Sequence, residues 1–256
     1  MELWTYEHAV TLIPAMIVMC IVGALLRWWL GDKDRKVRMI PFQILAAVLF
    51  LVEIGKQVLS FEGGYDLYHL PFHFCSLFIF FLPLMAFYRG RHARKVWAAG
   101  TAFCFSVTLL MMIYPALIYS ADNIRNFFHG YFDFHTVFFH NIVIMESVLI
   151  VALGLHSPEA GDTKAAIWTT VGFCVVSASM AHLLKTNFAN YYTCNIPPLE
   201  TVRQTVAQAV GVVPAQLLYV MIVSALNIGF VCMAYWVYRA VRRGIWGKAA
   251  TTARVS

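Results

Sequence analysis

Two short stretches of this chain place nucleophilic, basic and acidic side chains close together. His69 and His73 stand four residues apart, with Cys75 and Ser76 directly after them. Further on, Asp133, Thr136 and His140 fall at spacings that share one helix face. Glu53 and Lys56 form an i, i+3 pair with Gln57 beside them. Covalent catalysis asks for a nucleophile, a base and a group that orients the base. Cys75, Ser76 or Thr136 supplies the first, His140 or His73 the second, and Glu53 or Asp133 the third. A cysteine needs a neighbouring imidazole to become a thiolate at neutral pH. Cys75 and His73 are i, i+2, about 200° apart around a helix, so His140 has to reach Cys75 from another element.

A metal reading uses the same residues. His69-x-x-x-His73 has the spacing of two ligands on one helix turn, and His140 or His182 would complete a three-histidine zinc site. No CxxC pair occurs among the six cysteines, which argues against a zinc knuckle. With zinc as the alternative, no cofactor is expected. Asn187, Asn190 and Tyr191 follow His182 and join Lys56, His69, Ser76, Asp133 and Thr136 as candidates for substrate contacts.

The elements that carry these residues follow from composition. Hydrophobic residues make up 61% of the 256 and charged ones 12%, against about 25% charged in soluble domains. Such a chain cannot cover a water-facing surface, so the bilayer is its solvent. The apolar runs 9–30, 39–59, 70–88, 96–118, 134–155, 165–184 and 214–238 are each long enough to cross roughly 30 Å of hydrocarbon as a helix. None alternates as a lipid-facing strand would. The sequence therefore predicts an all-α polytopic membrane protein, one domain of about seven transmembrane helices. Glu2 and Glu7, with no basic residue before His8, are the opposite of a signal-peptide start, and no cleavable signal is expected. An amphipathic stretch, Leu199–Val210, either lies along the membrane surface or begins the last span early.

Charge sets the orientation. Fifteen of the 19 Lys and Arg residues fall in the connections after spans one, three and five, in the tail, or, for Arg27, in the last turn of span one. The positive-inside rule then puts the N-terminus outside and the C-terminus in the cytoplasm. The net charge of +6 is used up in this way, and no nucleic-acid partner is expected. Orientation exposes a second asymmetry: seven of the nine histidines fall outside or in the outer halves of spans. At 1.5 Å per residue, Glu53, Cys75 and His140 lie roughly 8–11 Å below the outer boundary. Ionisable groups at that depth face a bundle interior or a wet cavity. A polar pocket open to the outer leaflet follows, over an inner half that carries few polar groups. Glu146, near mid-membrane and off the His140 face, is expected to be protonated or hydrogen-bonded within the bundle.

Leu70-Pro71-Phe72-His73-Phe74-Cys75-Ser76-Leu77 resembles the Leu-Pro-x-His-x-Cys signature of the YwaF-like bacterial integral membrane proteins. Tyr114-Pro115, Phe138-Phe139-His140, Asn190-Tyr191 and Pro197-Pro198 are similar to further landmarks of that family. The resemblance covers most of the chain. It implies a seven-span protein of the bacterial plasma membrane, related to a eukaryotic transmembrane branch proposed to move acyl groups between lipids, with His73 and His140 as the matching residues. In that branch the proposed cysteine directly precedes the histidine, a place held here by Phe72.

Three functions compete. Acyl transfer or ester hydrolysis on membrane lipids is the first, and an outward pocket favours a lipid over cytoplasmic acyl-CoA as donor. A zinc-dependent amidase or hydrolase is the second. The third is a transporter or binding protein for ions, lipids or small molecules, to which Glu53, Lys56 and Glu146 point, although no inverted repeat is evident. A retinal photoreceptor is excluded, because the last span has no lysine for a Schiff base. The oligomeric state is not legible.

Overall fold

The computed structural model describes residues 3–252, with side chains through Trp246. Glu2 and, in the basic tail, Arg254 lie outside the described residues, as does the side chain of Lys248. The described residues contain ten α-helices and no strand: α1 Tyr6–Leu30, α2 Arg35–Arg38, α3 Ile40–Glu62, α4 Leu77–Phe87, α5 Ala93–Ile113, α6 Ala121–Arg125, α7 Tyr131–Ala152, α8 Asp162–Leu183, α9 Pro197–Val210 and α10 Val212–Thr252. Short 3-10 turns cover Leu67–His69, Pro115–Leu117 and Phe188–Asn190. Six segments are long and apolar enough to cross a membrane: Tyr6–Leu30, Arg35–Glu62, Ala93–Ile113, Tyr131–Ala152, Asp162–Leu183 and Val212–Trp246.

The expected span 70–88 is not one helix. Pro71 lacks an N–H and forces the residue before it out of the helical region, and Leu70 is extended at φ −63°, ψ 147°. The chain turns through residues 70–76 and becomes α-helical only from Leu77. The 11 residues of α4 rise roughly 16 Å, about half of a hydrocarbon core. The expected span 96–118 is cut in the same way. Pro115 drives Tyr114 to φ −147°, and α5 ends at Ile113. The stretch Leu199–Val210 belongs to a helix of its own, α9. Gly211, at a φ of 90° that a side chain would disfavour, separates it from α10.

Burial sorts the helices. Two-thirds of the apolar window of α5 and of α7 is buried, against 11% for α1 and α10. α5 and α7 are therefore the centre, packed through residues such as Phe103, Met111, Val143 and Ile150. α4 packs against α3 and α5 through Phe78 and Leu82. α1 turns Ile13, Ile17, Ile21 and Leu25 outward, as a helix solvated by lipid does. At one end Arg35 and Arg38 reach the carbonyls of Leu155 and Leu153, Arg94 pairs with Asp162, and Arg242 holds the carbonyl of His156. The basic connections and the start of the tail thus meet at a single end. At the opposite end Arg125 pairs with Glu7 and Gln57 donates to the carbonyl of His69.

Candidate functional site

The last turns of α3, the non-helical segment before α4, and the first turns of α7 enclose a cavity of about 230 Å³. Glu53 lies in its wall, 4% exposed. One carboxylate oxygen is 2.6 Å from Lys56 Nζ and accepts from Gln57 Nε2 at 2.7 Å. The other is 2.8 Å from His135 Nε2. Three donors on one carboxylate are what a buried charge requires. Gln57 is itself fixed, accepting from the Tyr65 hydroxyl at 2.8 Å and donating to the His69 carbonyl at 3.1 Å. The approach of α7 to α3 depends on Gly55, where a Cβ would overlap the Tyr131 hydroxyl that donates to the Val52 carbonyl.

The histidines differ in what their nitrogens touch. His69 Nδ1 is 2.7 Å from Ser60 Oγ, and the ring stacks on Phe132. Burial, then the charge on Lys56, push its imidazole below the ordinary range, so it is neutral at pH 7. His73 has both nitrogens engaged: Nε2–H donates to the Tyr68 carbonyl at 3.1 Å, and the Ala189 N–H approaches Nδ1 at 3.5 Å. His140 is the exception. Its Nδ1–H donates to the Thr136 carbonyl at 2.6 Å, while Nε2 is buried without a partner. Because the acceptor is a carbonyl, the proton sits on Nδ1 and the lone pair on Nε2. Of the two histidines proposed as base, His140 has a free lone pair in the cavity wall and His73 does not.

Cys75, Ser76 and Thr136 line the same cavity. Thr136 Oγ1 donates to the Phe132 carbonyl. Ser76 is the residue before α4. Among the described residues the backbone N–H of Cys75 has no acceptor, and it precedes the positive end of the α4 dipole. A thiol, an imidazole lone pair and an unbonded amide at a helix start are the parts that acyl transfer uses.

The cavity therefore gathers Glu53, Lys56, His69, His73, Cys75, Ser76, Thr136 and His140. Asp133 is not among its lining residues. It sits in the first turn of α7 and accepts from Asn123 Nδ2 at 2.7 Å. His182, Asn187, Asn190 and Tyr191 form a separate network that ties the 184–195 loop to α8 and α10. His182 bonds the Ala178 carbonyl and meets Gln216, Asn187 accepts from the N–H groups of Tyr192 and Thr193, the Asn190 carbonyl accepts from Tyr219, and the Tyr191 hydroxyl meets Ser224. Its link to the cavity is indirect, through Ala189 and Phe188 against His73.

The zinc alternative needed His69, His73 and His140 to converge. Among the described residues no three His, Cys, Asp or Glu side chains form a group able to hold a metal. The turn that Pro71 introduces takes His69 and His73 off any shared helix face. Glu146 is fully buried with both oxygens unpartnered, so of the two expected states, protonated or hydrogen-bonded within the bundle, the second is not formed.

Two features escape sequence reasoning. His135 is the partner of Glu53, yet it lies about 140° around α7 from His140 and so off the face that spacing selects. The basic end, where the sequence leads one to expect few polar groups, is also not polar-poor. His156, Asp162, Tyr235 and Tyr238 are all buried at the basic end, where Asp162 accepts from Arg94 and from the Tyr235 hydroxyl.

Among the described residues, six helices with the length and apolarity to cross a bilayer, and an outer surface of Ile, Leu, Val and Trp, define a multi-pass α-helical membrane protein. The model of the TMEM164 family matches residues 3–238, nearly the whole chain, and the chain belongs to that family. No curated protein and no solved structure matches it.

Proposed function

We propose that this protein transfers or hydrolyses acyl groups of membrane lipids in the cavity around His140 and Cys75. The observation that carries the reading is the unpartnered Nε2 of His140, held in the correct tautomer by the Thr136 carbonyl. In this reading the Cys75 thiol gives its proton to His140 Nε2 and the sulfur adds to the ester carbonyl of a lipid. The developing oxyanion is taken by the Cys75 amide at the start of α4. The carbon–oxygen bond breaks, and the lysolipid alkoxide leaves with the proton from His140. An acceptor hydroxyl then gives its proton to His140 as its oxygen attacks the thioester; the carbon–sulfur bond breaks, and the leaving sulfur takes that proton from His140 to restore the Cys75 thiol. Water in place of that hydroxyl gives hydrolysis. Ser76 and Thr136 are the alternative nucleophiles in the same wall. Glu53, with Lys56 and His135, fixes the α3–α7 contact that positions His140, and His69 and His73 shape the wall. No cofactor takes part.

A lipid substrate requires that the cavity be reached from the bilayer, so topology belongs to the proposal. Residues 70–76 and α4 complete a seventh crossing, their unwound backbone facing the cavity, where irregular structure within a membrane is tolerated. The meeting of the basic connections at one end supports this path, since the chain must return there between α3 and α5. The positive-inside rule makes that end cytoplasmic and opens the cavity to the outer leaflet. The Leu-Pro-x-His-x-Cys likeness of residues 70–75 supports a bacterial plasma-membrane setting.

The test is reconstitution of the full chain in phosphatidylcholine vesicles with a lysophosphatidylcholine acceptor of distinguishable chain and no acyl-CoA. Mass spectrometry should find the acceptor acylated, or free fatty acid released, with His140→Ala at background. A strict requirement for acyl-CoA, or equal turnover by His140→Ala, would overturn the reading.

A further inference from the structure

The basic end of the bundle carries a second constellation that the acyl chemistry does not use. A cavity of about 400 Å³ is lined there by Arg35, Arg89 and Arg94, with Trp97 and His156 in its wall. A neighbouring cavity of about 280 Å³ is lined by Arg239, Arg242 and Arg243, and the two share Ser157. No carboxylate lines either one.

Positive charge at a membrane boundary is ordinary, and snorkelling arginines need no ligand. Two observations go further. First, the wall is fixed before anything binds. The 153–157 loop is held by Arg38 on the Leu153 carbonyl at 2.7 Å, by Tyr238 and Arg242 on the His156 carbonyl at 2.6 and 2.7 Å, and by Arg35 on the Leu155 carbonyl at 3.3 Å. Behind it, Asp162 accepts from Arg94, the Tyr235 hydroxyl and the Glu159 N–H. The Arg35 guanidinium also lies over the Trp97 ring, 5.5 Å from its centre. Second, the charge is unbalanced. Arg94 is neutralised by Asp162 and Glu159. Among the described residues no carboxylate lies within 4 Å of Arg35, Arg38, Arg89 or Arg242. His156 adds no charge, because burial and then the nearby guanidiniums outweigh Asp162 and push its imidazole down to about 4.

We propose that this end of the protein binds a phosphate group between Arg35 and Arg89. Guanidinium forks match phosphate oxygens in pairs, and a monoester with a charge near −2 offsets both unpaired cations. Each guanidinium spends at most two of its N–H groups on backbone carbonyls and keeps the rest for the ligand. The phosphate belongs either to a lipid headgroup of the adjoining leaflet or to a soluble phosphorylated compound, and the two sources can be separated by experiment.

Full-length protein is placed in phosphatidylcholine nanodiscs, and its melting is followed against inorganic phosphate in solution or phosphatidic acid added to the disc. Phosphate alone raising the melting temperature assigns a soluble source, and phosphatidic acid alone a lipid one. Either result supports the site provided that Arg35→Gln and Arg89→Gln each weaken the response about tenfold or more, while Lys36→Gln and Arg91→Gln do not. Equal loss in the two control variants reduces the effect to general basic charge and overturns the proposal. So does an undiminished response in Arg35→Gln and Arg89→Gln, or no response to either probe. Should those variants not fold, wild-type protein is treated with phenylglyoxal. The more effective probe should protect Arg35 and Arg89 but not Arg91, and no selective protection overturns the assignment.

Discussion

Replacing Glu53 with glutamine removes one charge and almost no volume from the wall of the His140 cavity. The structure isolates what is lost. The glutamine oxygen still faces Lys56 and Gln57, and its amide faces His135, which can turn its lone pair to accept. What does not survive is the counter-charge of Lys56, whose side chain is 14% exposed beside a 5% exposed carboxylate. Removing one partner of a buried pair costs about 3–5 kcal/mol, chiefly because the other charge stays buried. The remaining exposure of Lys56 favours the lower figure, about 3 kcal/mol. For a chain of this size that corresponds to a fall in melting temperature of roughly 6–12 °C. The assay is thermal unfolding of detergent-purified protein followed by tryptophan fluorescence, run on Glu53→Gln, Lys56→Met and the double variant. The double variant buries no unpaired charge and should recover most of the loss. A Glu53→Gln melting temperature within about 2 °C of wild type, or a double variant that merely sums the single losses, would refute the argument that this pair holds the cavity wall.

Gly55→Ala sets a methyl group against the Tyr131 hydroxyl and should cost about 1–3 kcal/mol by overpacking; Tyr131→Phe, which removes that hydroxyl, should relieve part of the loss, and equal melting of Gly55→Ala and wild type would count against the close α3–α7 approach. Glu200 is held at about 2, first by its bonds to Arg203. Its folded value lies below the ordinary ~4.3 of a glutamate, so the stability it contributes is complete above that range and fades as pH falls through about 2. The melting difference between wild type and Glu200→Gln, worth at most about 1 kcal/mol for a pair at the rim, should therefore be constant from pH 7 to 5 and close near pH 2; a difference that persists there contradicts the pairing. In the vesicle assay His140→Ala should abolish acyl transfer, whereas His73→Gln, which keeps a donor for the Tyr68 carbonyl, should retain measurable turnover; the opposite ranking would move the base to His73.

How far the sequence could be read depends on where the chain is regular. A helix rises by a fixed amount per residue, so depth can be counted from a residue's position in an apolar run. That count puts Glu53 of α3 and His140 of α7 at one level, and one cavity contains both; Cys75 joins them there although its own count assumes a helix that residues 70–76 do not form. Azimuth is a stricter test, because it fails wherever the chain stops being helical. Pro71 unwinds residues 70–76, and the i, i+4 face assigned to His69 and His73 does not exist. Their nitrogens instead meet Ser60 and the Tyr68 carbonyl. His135 was hidden for the converse reason: α7 is regular, and spacing favoured the Asp133–Thr136–His140 face although the cavity wraps far enough around the helix to take His135 as well.

The basic end shows a third limit. Lysine and arginine there read from the sequence as topology signals, and a count cannot separate a guanidinium that snorkels from one held by a carbonyl. That distinction depends on the carbonyls at the end of α7, which become acceptors only because the helix stops at Ala152 and the loop after it folds under α2 and α10. Charge patterning therefore identifies the end of the bundle, and only backbone geometry turns part of that charge into a candidate site. The same division holds at the His140 cavity. Residue type and depth bring an imidazole and a carboxylate to one level; the non-helical turn through residues 70–76 adds the Cys75 thiol to the cavity and engages both nitrogens of His73, which leaves the free lone pair to His140.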